Sequence, residues 1–155
     1  MKIRRFKDKD AEEVSALIIK TLRTCNIKDY SSEYIENDVK FFQPDKISER
    51  ASWTHFYVVC DDDKIVGCGA IGPYWGKKDE SSLFSIFVLP EYQGKGVGRN
   101  IIETLETDEY FLRAKRIEIP ASITATPFYI KMGYDYINAV KEPDDEGLLR
   151  LEKFR

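Results

Sequence analysis

The chain has 155 residues, of which 24 are basic and 27 are acidic, so its formal net charge is −3. At this length one folding unit buries roughly 68–70% of the surface of the unfolded chain, so we expect residues 1–155 to form a single domain without disulfide or metal staples. The acidic balance argues against a nucleic-acid-binding protein, which needs a basic stripe for phosphate contacts, and one histidine with three cysteines that form no CxxC pair argues against a metal site.

The N-terminal third alternates strand and helix patterns. Lys2–Phe6 is predicted as a short strand, and Asp10 then precedes apolar residues at helical spacing, so we expect it to cap the first helix. A second helix is predicted to begin at a serine cap, either Ser31 or Ser32. The segment Asp45–Ser52 after that helix is predicted as a loop.

A hairpin follows, and its second strand carries a glycine motif. Trp53–Cys60 is rich in aromatic and β-branched residues, and the turn Asp61–Asp63 joins it to a second strand, Lys64–Ile71. Gly67–Gly72 fits the dinucleotide-binding pattern GxGxxG letter for letter, but that turn must open a helix, and no helical pattern follows Pro73. We therefore interpret these glycines as part of a strand with a bulge or close packing.

The remaining elements complete an α/β pattern. Leu83–Leu89 is apolar at both alternating sets of positions, as expected for a central strand that is covered on each side. Downstream the pattern predicts strands at Arg116–Ile119, Tyr134–Val140 and Leu148–Phe154 and a helix from Thr124 to Met132. The prediction is one mixed twisted sheet with helices on both faces. The last strand is a candidate for pairing in a homodimer, although a monomer is equally compatible with the sequence.

The chain shows no membrane or secretion signal. The basic start, Met1–Lys7, is followed by no apolar segment, and no apolar run approaches the roughly 20 residues that span a bilayer. Unpaired cysteines are compatible with a reducing compartment. We therefore expect a cytoplasmic protein without a membrane partner.

A second glycine motif, Gln93–Arg99, lies between the most apolar strand and a helix that carries Ile101 and Leu105 on its apolar stripe. Strand, glycine turn and helix N-terminus form an anion site, because glycines let backbone N–H groups approach the ligand and the helix dipole adds about half a positive charge. The turn is not a Walker A loop, and it is not GxGxxG, since Arg99 replaces the third glycine. Lys95 adds a further positive charge.

The residues Gln93–Gly98 match the Q/R-x-x-G-x-G/A signature of the GNAT superfamily of acetyl-CoA-dependent N-acetyltransferases. Ala125–Tyr134 resembles the A-x-x-F-Y-x-x-x-G-F/Y segment of the same family, and the resemblance is strong over Trp53–Tyr134. It implies a single-domain GNAT-like fold whose central strand pair splays apart, and it implies transfer of an acetyl group from acetyl-CoA to the amine of a small molecule or peptide.

The resemblance also implies a CoA site built mainly from backbone. According to the resemblance, the backbone amides from Gly94 to Arg99 hold the pyrophosphate of CoA. The strand Phe87–Leu89 pairs with the pantetheine arm, and Ser122 donates a hydrogen bond to the cofactor or to water. No metal takes part. The cofactor-binding residues implied are Phe87, Val88, Leu89, Gln93, Gly94, Lys95, Gly96, Val97, Gly98, Arg99 and Ser122.

Tyr129 matches the general acid of the family. When an amine attacks a thioester, the departing thiolate, with a pKa of about 8.5, is helped by a proton donor such as a tyrosine, whose pKa is about 10. The alternative is that Tyr129 is a core tyrosine beside Phe128. A rival function is a non-catalytic acyl-CoA-binding or regulatory module on the same fold.

The residues point to no single general base. Some family members carry a glutamate at the position that Ser82 occupies here when the chain is aligned on Gln93. Transfer of the proton through water to Glu80, to His55 or to a backbone carbonyl is left open. The alternative for His55 is a packed or partly exposed side chain that takes no part in proton transfer.

The resemblance implies that the first two helices and the loop after them shape the acceptor side, and here these segments are acidic, with the carboxylates in or near the second helix. Carboxylates near aromatic side chains favour a cationic amine, and the alternative is an ordinary solvated helix face. The acidic residues concerned are Asp29, Glu33, Glu36 and Asp38.

Overall fold

The computed structural model describes every residue from Met1 to Arg155 and contains one mixed seven-stranded sheet in the order β1-β2-β3-β4-β5-β7-β6. The strands are β1 Lys2–Arg5, β2 His55–Asp61, β3 Lys64–Tyr74, β4 Lys77–Val88, β5 Arg116–Ser122, β6 Asp135–Tyr136 and β7 Leu148–Phe154. The α-helices are α1 Ala11–Thr24, α2 Ser32–Val39, α3 Pro44–Trp53, α4 Val97–Leu105, α5 Glu109–Leu112 and α6 Thr126–Lys131. The predicted α/β class is confirmed. None of these helices combines the length and the apolar character needed to cross a membrane.

The centre of the sheet opens between β4 and β5. All other neighbouring strands are antiparallel, but β4 and β5 are parallel, and they pair only over Glu80–Ser82 and Arg116–Glu118. Beyond this point both strands continue without pairing to each other, so the predicted splay is confirmed. Unpaired strand edges present free backbone N–H and C=O groups, which need partners.

A bulge bends β4 at the start of the splayed part. Cys68 pairs with Phe87 and Ala70 with Phe84, so two residues of β4 face one residue of β3. Ser85 lies in the bulge with a φ of 53°, in the left-handed region. Such a bulge bends the strand and increases its twist, and here it redirects β4 away from β5.

The glycines of the GxGxxG motif lie inside β3, as predicted, and allow α4 to approach the sheet. A Cβ atom at Gly69 would lie 2.6 Å from Cγ2 of Ile101, and one at Gly67 would lie 3.0 Å from Cγ1 of Val97. Because side chains alternate along a strand, Cys68, between these two glycines, faces the opposite side of the sheet, where α1 packs. Helices therefore cover both faces of the sheet.

Gly69→Val is expected to lower the free energy of unfolding by about 1–3 kcal/mol, because the new side chain overpacks a fully buried contact with Ile101. Denaturant unfolding measures the change. The control is Gly76→Asn in the β3–β4 turn, where φ is 75° and no atom lies within 4 Å of the place that a Cβ would take, so an asparagine fits with little cost. Equal stability of Gly69→Val and the unsubstituted chain would contradict the close packing.

Two predicted elements are wrong. Asp45–Ser52 is not a loop but most of α3, which begins at Pro44; proline is favourable in the first helical turn, where its missing N–H costs no hydrogen bond. Tyr134–Val140 is a strand only at Asp135–Tyr136, because Asn138 and the residue after it have φ values of 53° and 59°, which no regular strand contains.

The helix caps also differ in part from the prediction. Asp10 stands before α1, but its carboxylate accepts hydrogen bonds from Arg4 (2.8 Å) and from the backbone N–H of Lys7 (2.8 Å) instead of capping the helix. At α2 the cap is Ser31, whose hydroxyl accepts from the N–H of Tyr34 at 3.0 Å.

Candidate functional site

A cleft of about 600 Å³ opens where β4 and β5 separate. This is in the usual size range for a small-molecule site. The wall comprises the end of β4, the glycine turn, the start of α6 and the end of α1. Of the predicted site residues, the wall contains Phe87, Val88, Gln93, Gly94, Gly96, Gly98, Arg99, Ser122 and Tyr129.

Three predicted site residues lie outside the cleft wall. Leu89 and Val97 are buried in the core, and the backbone N–H of Leu89 donates to the carbonyl of Val66 at 2.9 Å, so that group is not free for a ligand. The side chain of Lys95 is exposed, with Nζ 5.3 Å from the ring centre of Tyr92. The N–H of Leu89 is therefore not available to pantetheine, and the pairing of Phe87–Leu89 with the pantetheine arm stays a prediction.

The glycine turn leads directly into the N-terminus of α4. Gly94 and Gly96 have φ values of 77° and 84°, and no atom lies within 4 Å of a Cβ placed on either one, so open space borders the backbone there. The N–H groups of Val97, Gly98 and Arg99 have no hydrogen-bond acceptor within the protein. Free N–H groups and the helix dipole give this turn the properties of an anion site.

Gln93 connects the turn to the end of β4. Its side-chain amide donates to the carbonyl of Val88 at 3.1 Å. On the other side of the turn, a Cβ at Gly98 would lie 3.1 Å from Cζ of Phe128, so the start of α6 is in direct contact with the start of α4. These two contacts hold the turn at the mouth of the cleft.

Tyr129 projects from α6 into the inner part of the cleft. The residue is only 4% exposed, and its hydroxyl makes no hydrogen bond to any protein group. Burial raises the pKa of Tyr129 far above its ordinary value, with a smaller contribution from Cys68. The phenol is therefore protonated at neutral pH and has a hydrogen to donate.

Ser122 and Thr124 form the rim of the cleft on the β5 side. The Ser122 hydroxyl oxygen accepts from the N–H of Ala125 at 3.1 Å, which leaves its own hydrogen available. The Thr124 hydroxyl donates to Asp29 at 2.7 Å and so ties this rim to the segment before α2.

The candidate bases from the sequence lie outside the cleft wall and have structural partners. Glu80 accepts from Arg116 at 2.8 Å; desolvation opposes ionisation of this carboxyl, but Arg116 and Lys77 together hold its pKa below the ordinary value. His55 Nδ1 lies 2.9 Å from the carboxylate of Asp108. The buried Ser82 hydroxyl donates to a backbone carbonyl of β5 at 3.1 Å.

The acidic side chains around α2 are partly used within the fold. Glu36 pairs with Arg23 at 2.7 Å, and Asp29 accepts from Thr124. Asp38 is half-buried and its carboxylate forms no hydrogen bond, and desolvation raises the pKa of this group. Of the predicted acidic surface, only Asp38 and the exposed Glu33 have no side-chain partner in the protein.

Sequence reasoning missed the contribution of α1 to the cleft wall. Its residues come from the end of the helix and the turn after it, where nothing in the local pattern distinguishes a cleft residue from any other helix end. Phe128 and Ala125 lie within the motif around Tyr129 and were open to prediction from it. The wall residues that were not predicted are Thr21, Cys25, Asn26, Ile86, Thr124, Ala125, Phe128 and Lys131.

Comparison with known proteins gives consistent results. The family model of the acetyltransferase (GNAT) domain matches residues 26–149. The uncharacterized N-acetyltransferase YjcF of Bacillus subtilis strain 168 is 32% identical over 112 residues, which cover 72% of this chain and 76% of that protein.

Solved structures share the fold over almost the whole chain. The PaiA N-acetyltransferase from Thermoplasma acidophilum, solved in complex with coenzyme A, superposes with a TM-score of 0.81 at 18% identity and covers 99% of this chain and 98% of its own. A GCN5-related N-acetyltransferase from Rhodopseudomonas palustris also has a TM-score of 0.81, at 21% identity over 99% of this chain and 95% of its own.

Proposed function

The chain belongs to the GNAT acetyltransferase family, and from this premise we propose that it transfers the acetyl group of acetyl-CoA directly to an amine, with Tyr129 as the general acid. One observation carries the proposal. A glycine turn with free N–H groups and a buried phenol without a protein partner lie in the same cleft, between two strands that splay apart.

The cleft residues fit acetyl-CoA. The N–H groups of Val97, Gly98 and Arg99 meet the pyrophosphate, and the Arg99 side chain adds positive charge beside it. Phe87 and Val88 line the cleft where β4 has no strand partner on the β5 side, and there they lie along the pantetheine arm, although the Val88 carbonyl already accepts from Gln93. A CoA complex of the Thermoplasma relative supports this assignment.

The reaction needs two proton transfers, one from the attacking amine and one to the departing sulfur. A side chain of the protein provides only the second. Acetyl-CoA supplies a thioester whose carbonyl carbon is attacked by the neutral amine, with loss of the C–S bond. The Tyr129 hydroxyl gives its proton to the departing sulfur; burial keeps this group protonated at the working pH, and its O–H has no protein partner, although the raised pKa makes it a weaker acid than an ordinary tyrosine. Glu80 and His55 are engaged elsewhere, so the proton of the amine leaves through water to bulk solvent.

The acceptor is an amine of a small molecule or peptide, and we propose that it approaches as a cation. The half-buried Asp38 forms no ion pair within 4 Å, although Arg50 acts on it electrostatically, and together with the exposed Glu33 it provides negative charge on the α2 side. The test is a panel of polyamines, aminoglycosides, amino acids and peptide amines with acetyl-CoA, in which release of the CoA thiol is measured. Binding of CoA without transfer to any amine would favour the non-catalytic alternative.

The pH dependence of transfer is a further prediction. We expect kcat/KM to rise with pH as the acceptor amine becomes neutral, without a fall at about pH 10, where an ordinary tyrosine ionises. Burial keeps the Tyr129 phenol protonated there, since the raised pKa favours the neutral form. Rates corrected for uncatalysed thioester hydrolysis provide the measurement. A fall centred near pH 10 that disappears in Tyr129→Phe would contradict the raised pKa.

A further inference from the structure

Asn26 has a buried side chain that forms no hydrogen bond within the protein. The residue is 7% exposed and lines the cleft just after α1. Its backbone carbonyl accepts from the N–H of Asp29 at 2.9 Å, but neither polar atom of the side-chain amide has a protein partner. Both atoms retain accessible surface, because the one fully enclosed side-chain atom without a partner is Nη1 of Arg50. An unpaired amide at a cleft wall is therefore available to a ligand.

The Asn26 oxygen is the only buried side-chain carbonyl in the cleft wall. The wall contains no carboxylate and no histidine, and its other amide side chain, Gln93, is exposed. The hydroxyl groups of Thr21, Ser122 and Thr124 each form a hydrogen bond within the protein, at 2.7–3.1 Å. A ligand group that must donate a hydrogen bond inside the cleft therefore meets one side-chain oxygen that is both enclosed and free.

Asn26 borders the cleft from the face of the sheet opposite to that of Tyr129. Helix α4 packs on the face of Gly69, and the contact between Gly98 and Phe128 places the start of α6 beside α4 on that face. Helix α1, which ends two residues before Asn26, packs on the other face. The two side chains therefore flank the opening between β4 and β5 from opposite sides.

The backbone on each side of Asn26 is fixed by hydrogen bonds. Before it, the N–H of Cys25 donates to a carbonyl of α1 at 2.8 Å. After it, the hydroxyl of Tyr30 accepts from the N–H of Ile123 at 2.8 Å and donates to the carbonyl of Gly147 at 2.6 Å. The segment is thus tied to the end of β5 and to the turn before β7. A polar group held in this way needs little ordering when a substrate binds.

We propose that the side-chain oxygen of Asn26 accepts a hydrogen bond from an N–H of the attacking amine and so directs the nitrogen lone pair at the acetyl carbon. The inference rests on the proposed acetyltransferase function and adds the residue that orients the acceptor. CoA and α6 occupy the side of Tyr129, so the amine approaches from the side of Asn26. A neutral primary amine has two N–H groups: Asn26 holds one, and after attack the other gives its proton to water.

The experiment compares two substitutions of Asn26, with the amine that reacts fastest in the panel of polyamines, aminoglycosides, amino acids and peptide amines. Asn26→Leu removes both polar atoms at nearly constant size and should lower kcat/KM for this amine about tenfold. Asn26→Asp retains an oxygen acceptor without the NH2 group, so at high pH its kcat/KM should stay within about threefold of the unsubstituted value. Release of the CoA thiol at saturating acetyl-CoA measures both values.

A charge introduced at the same position tests for direct contact with the amine. In Asn26→Asp an ionised carboxylate beside the bound amine favours the ammonium form, so the rising limb of kcat against pH should move up by about one unit or more. Asn26→Leu should leave the midpoint of that limb where it is. A residue that only supports the fold would produce no such shift in either variant.

Asn37→Leu is the matched control, because Asn37 is exposed on α2 and lies outside the cleft wall. This variant should leave kcat/KM unchanged. In Asn26→Leu the CoA affinity should stay within about twofold and the unfolding temperature should not fall, because an apolar group replaces an unpaired buried amide. Calorimetric titration with CoA and thermal unfolding measure these two quantities.

Three outcomes would overturn the role of Asn26 and leave the acetyltransferase function intact. Equal losses of kcat/KM in Asn26→Leu and Asn26→Asp, without a shift of the kcat profile, would mean that the NH2 group acts as a donor to the acetyl oxygen. A loss of CoA affinity of about tenfold would assign Asn26 to the pantetheine arm. Unchanged kcat/KM in Asn26→Leu would exclude it from the transfer. Failure of every amine to react with the unsubstituted protein would instead remove the proposed function, and this inference with it.

Discussion

Tyr129→Phe is expected to lower kcat for acetyl transfer about 10²–10⁴-fold, the range that general acid catalysis contributes. The substitution removes only the hydroxyl, which forms no hydrogen bond within the protein, so the free energy of unfolding should change by less than about 1 kcal/mol. CoA affinity should stay within about twofold, because no other atom of the cleft wall changes. Steady-state release of the CoA thiol, denaturant unfolding and calorimetric titration with CoA measure the three quantities.

A second buried tyrosine provides the matched control. Tyr134 is 1% exposed, but its hydroxyl donates to Glu106 at 2.9 Å and it does not line the cleft. Tyr134→Phe should therefore lower stability by about 1.5–3 kcal/mol, the cost of losing a hydrogen bond to a charged group, while kcat is retained. If Tyr129→Phe reacts as fast as the unsubstituted enzyme, Tyr129 is a core residue and the proposed acid is wrong.

Gly96→Val is expected to weaken CoA binding about tenfold or more. The backbone of Gly96 has a φ of 84°, which a β-branched residue tolerates poorly, and its Cβ would project into the open space beside the free N–H groups of α4. Each hydrogen bond lost to a charged group weakens binding by about 1.5–3 kcal/mol, and about 1.4 kcal/mol corresponds to a tenfold change. Calorimetric titration with CoA measures the loss.

Gly76→Val separates backbone strain from loss of the anion site. Gly76 also has a positive φ, 75°, and also has no atom within 4 Å of a Cβ, but it lies at the tip of the β3–β4 turn outside the cleft. Its valine variant should show a similar loss of stability and unchanged CoA affinity. If both variants bind CoA equally well, the turn at Gly96 does not contact the phosphates.

Local signals were sufficient where a residue's role depends on its near neighbours in the chain. The turn Gln93–Arg99 combines a strand before it, glycines within it and a helix after it, all of which are visible in the sequence. Because no helical pattern follows Pro73, Gly67–Gly72 was assigned to a strand, and the structure places these residues in β3. The loop predicted at Asp45–Ser52 failed because α3 has few apolar residues and begins with a proline, which resembles a break when it is taken alone.

The predicted site residues also differ in whether their role depends on neighbours in the chain or on strand register. Gly94, Gly96 and Gly98, which the resemblance implies as site residues, line the cleft, whereas Leu89, implied by the same resemblance, uses its N–H in a hydrogen bond to Val66. The hydrogen-bond partner of an individual backbone group depends on strand register, and a bulge at Ser85 shifts that register by one residue. No periodicity in β4 indicates this shift.

Spacing within short segments was sufficient for the α/β class, for the family resemblance and for the position of the glycine turn Gln93–Arg99. Only the tertiary structure decided which charged groups are free. It pairs Glu80, Glu36 and His55 with partners from other elements, Arg116, Arg23 and Asp108, and it leaves Arg50 without one. Charge neutralisation and desolvation depend on groups brought together by folding, so the composition of a helix does not show whether its charges remain available for a substrate.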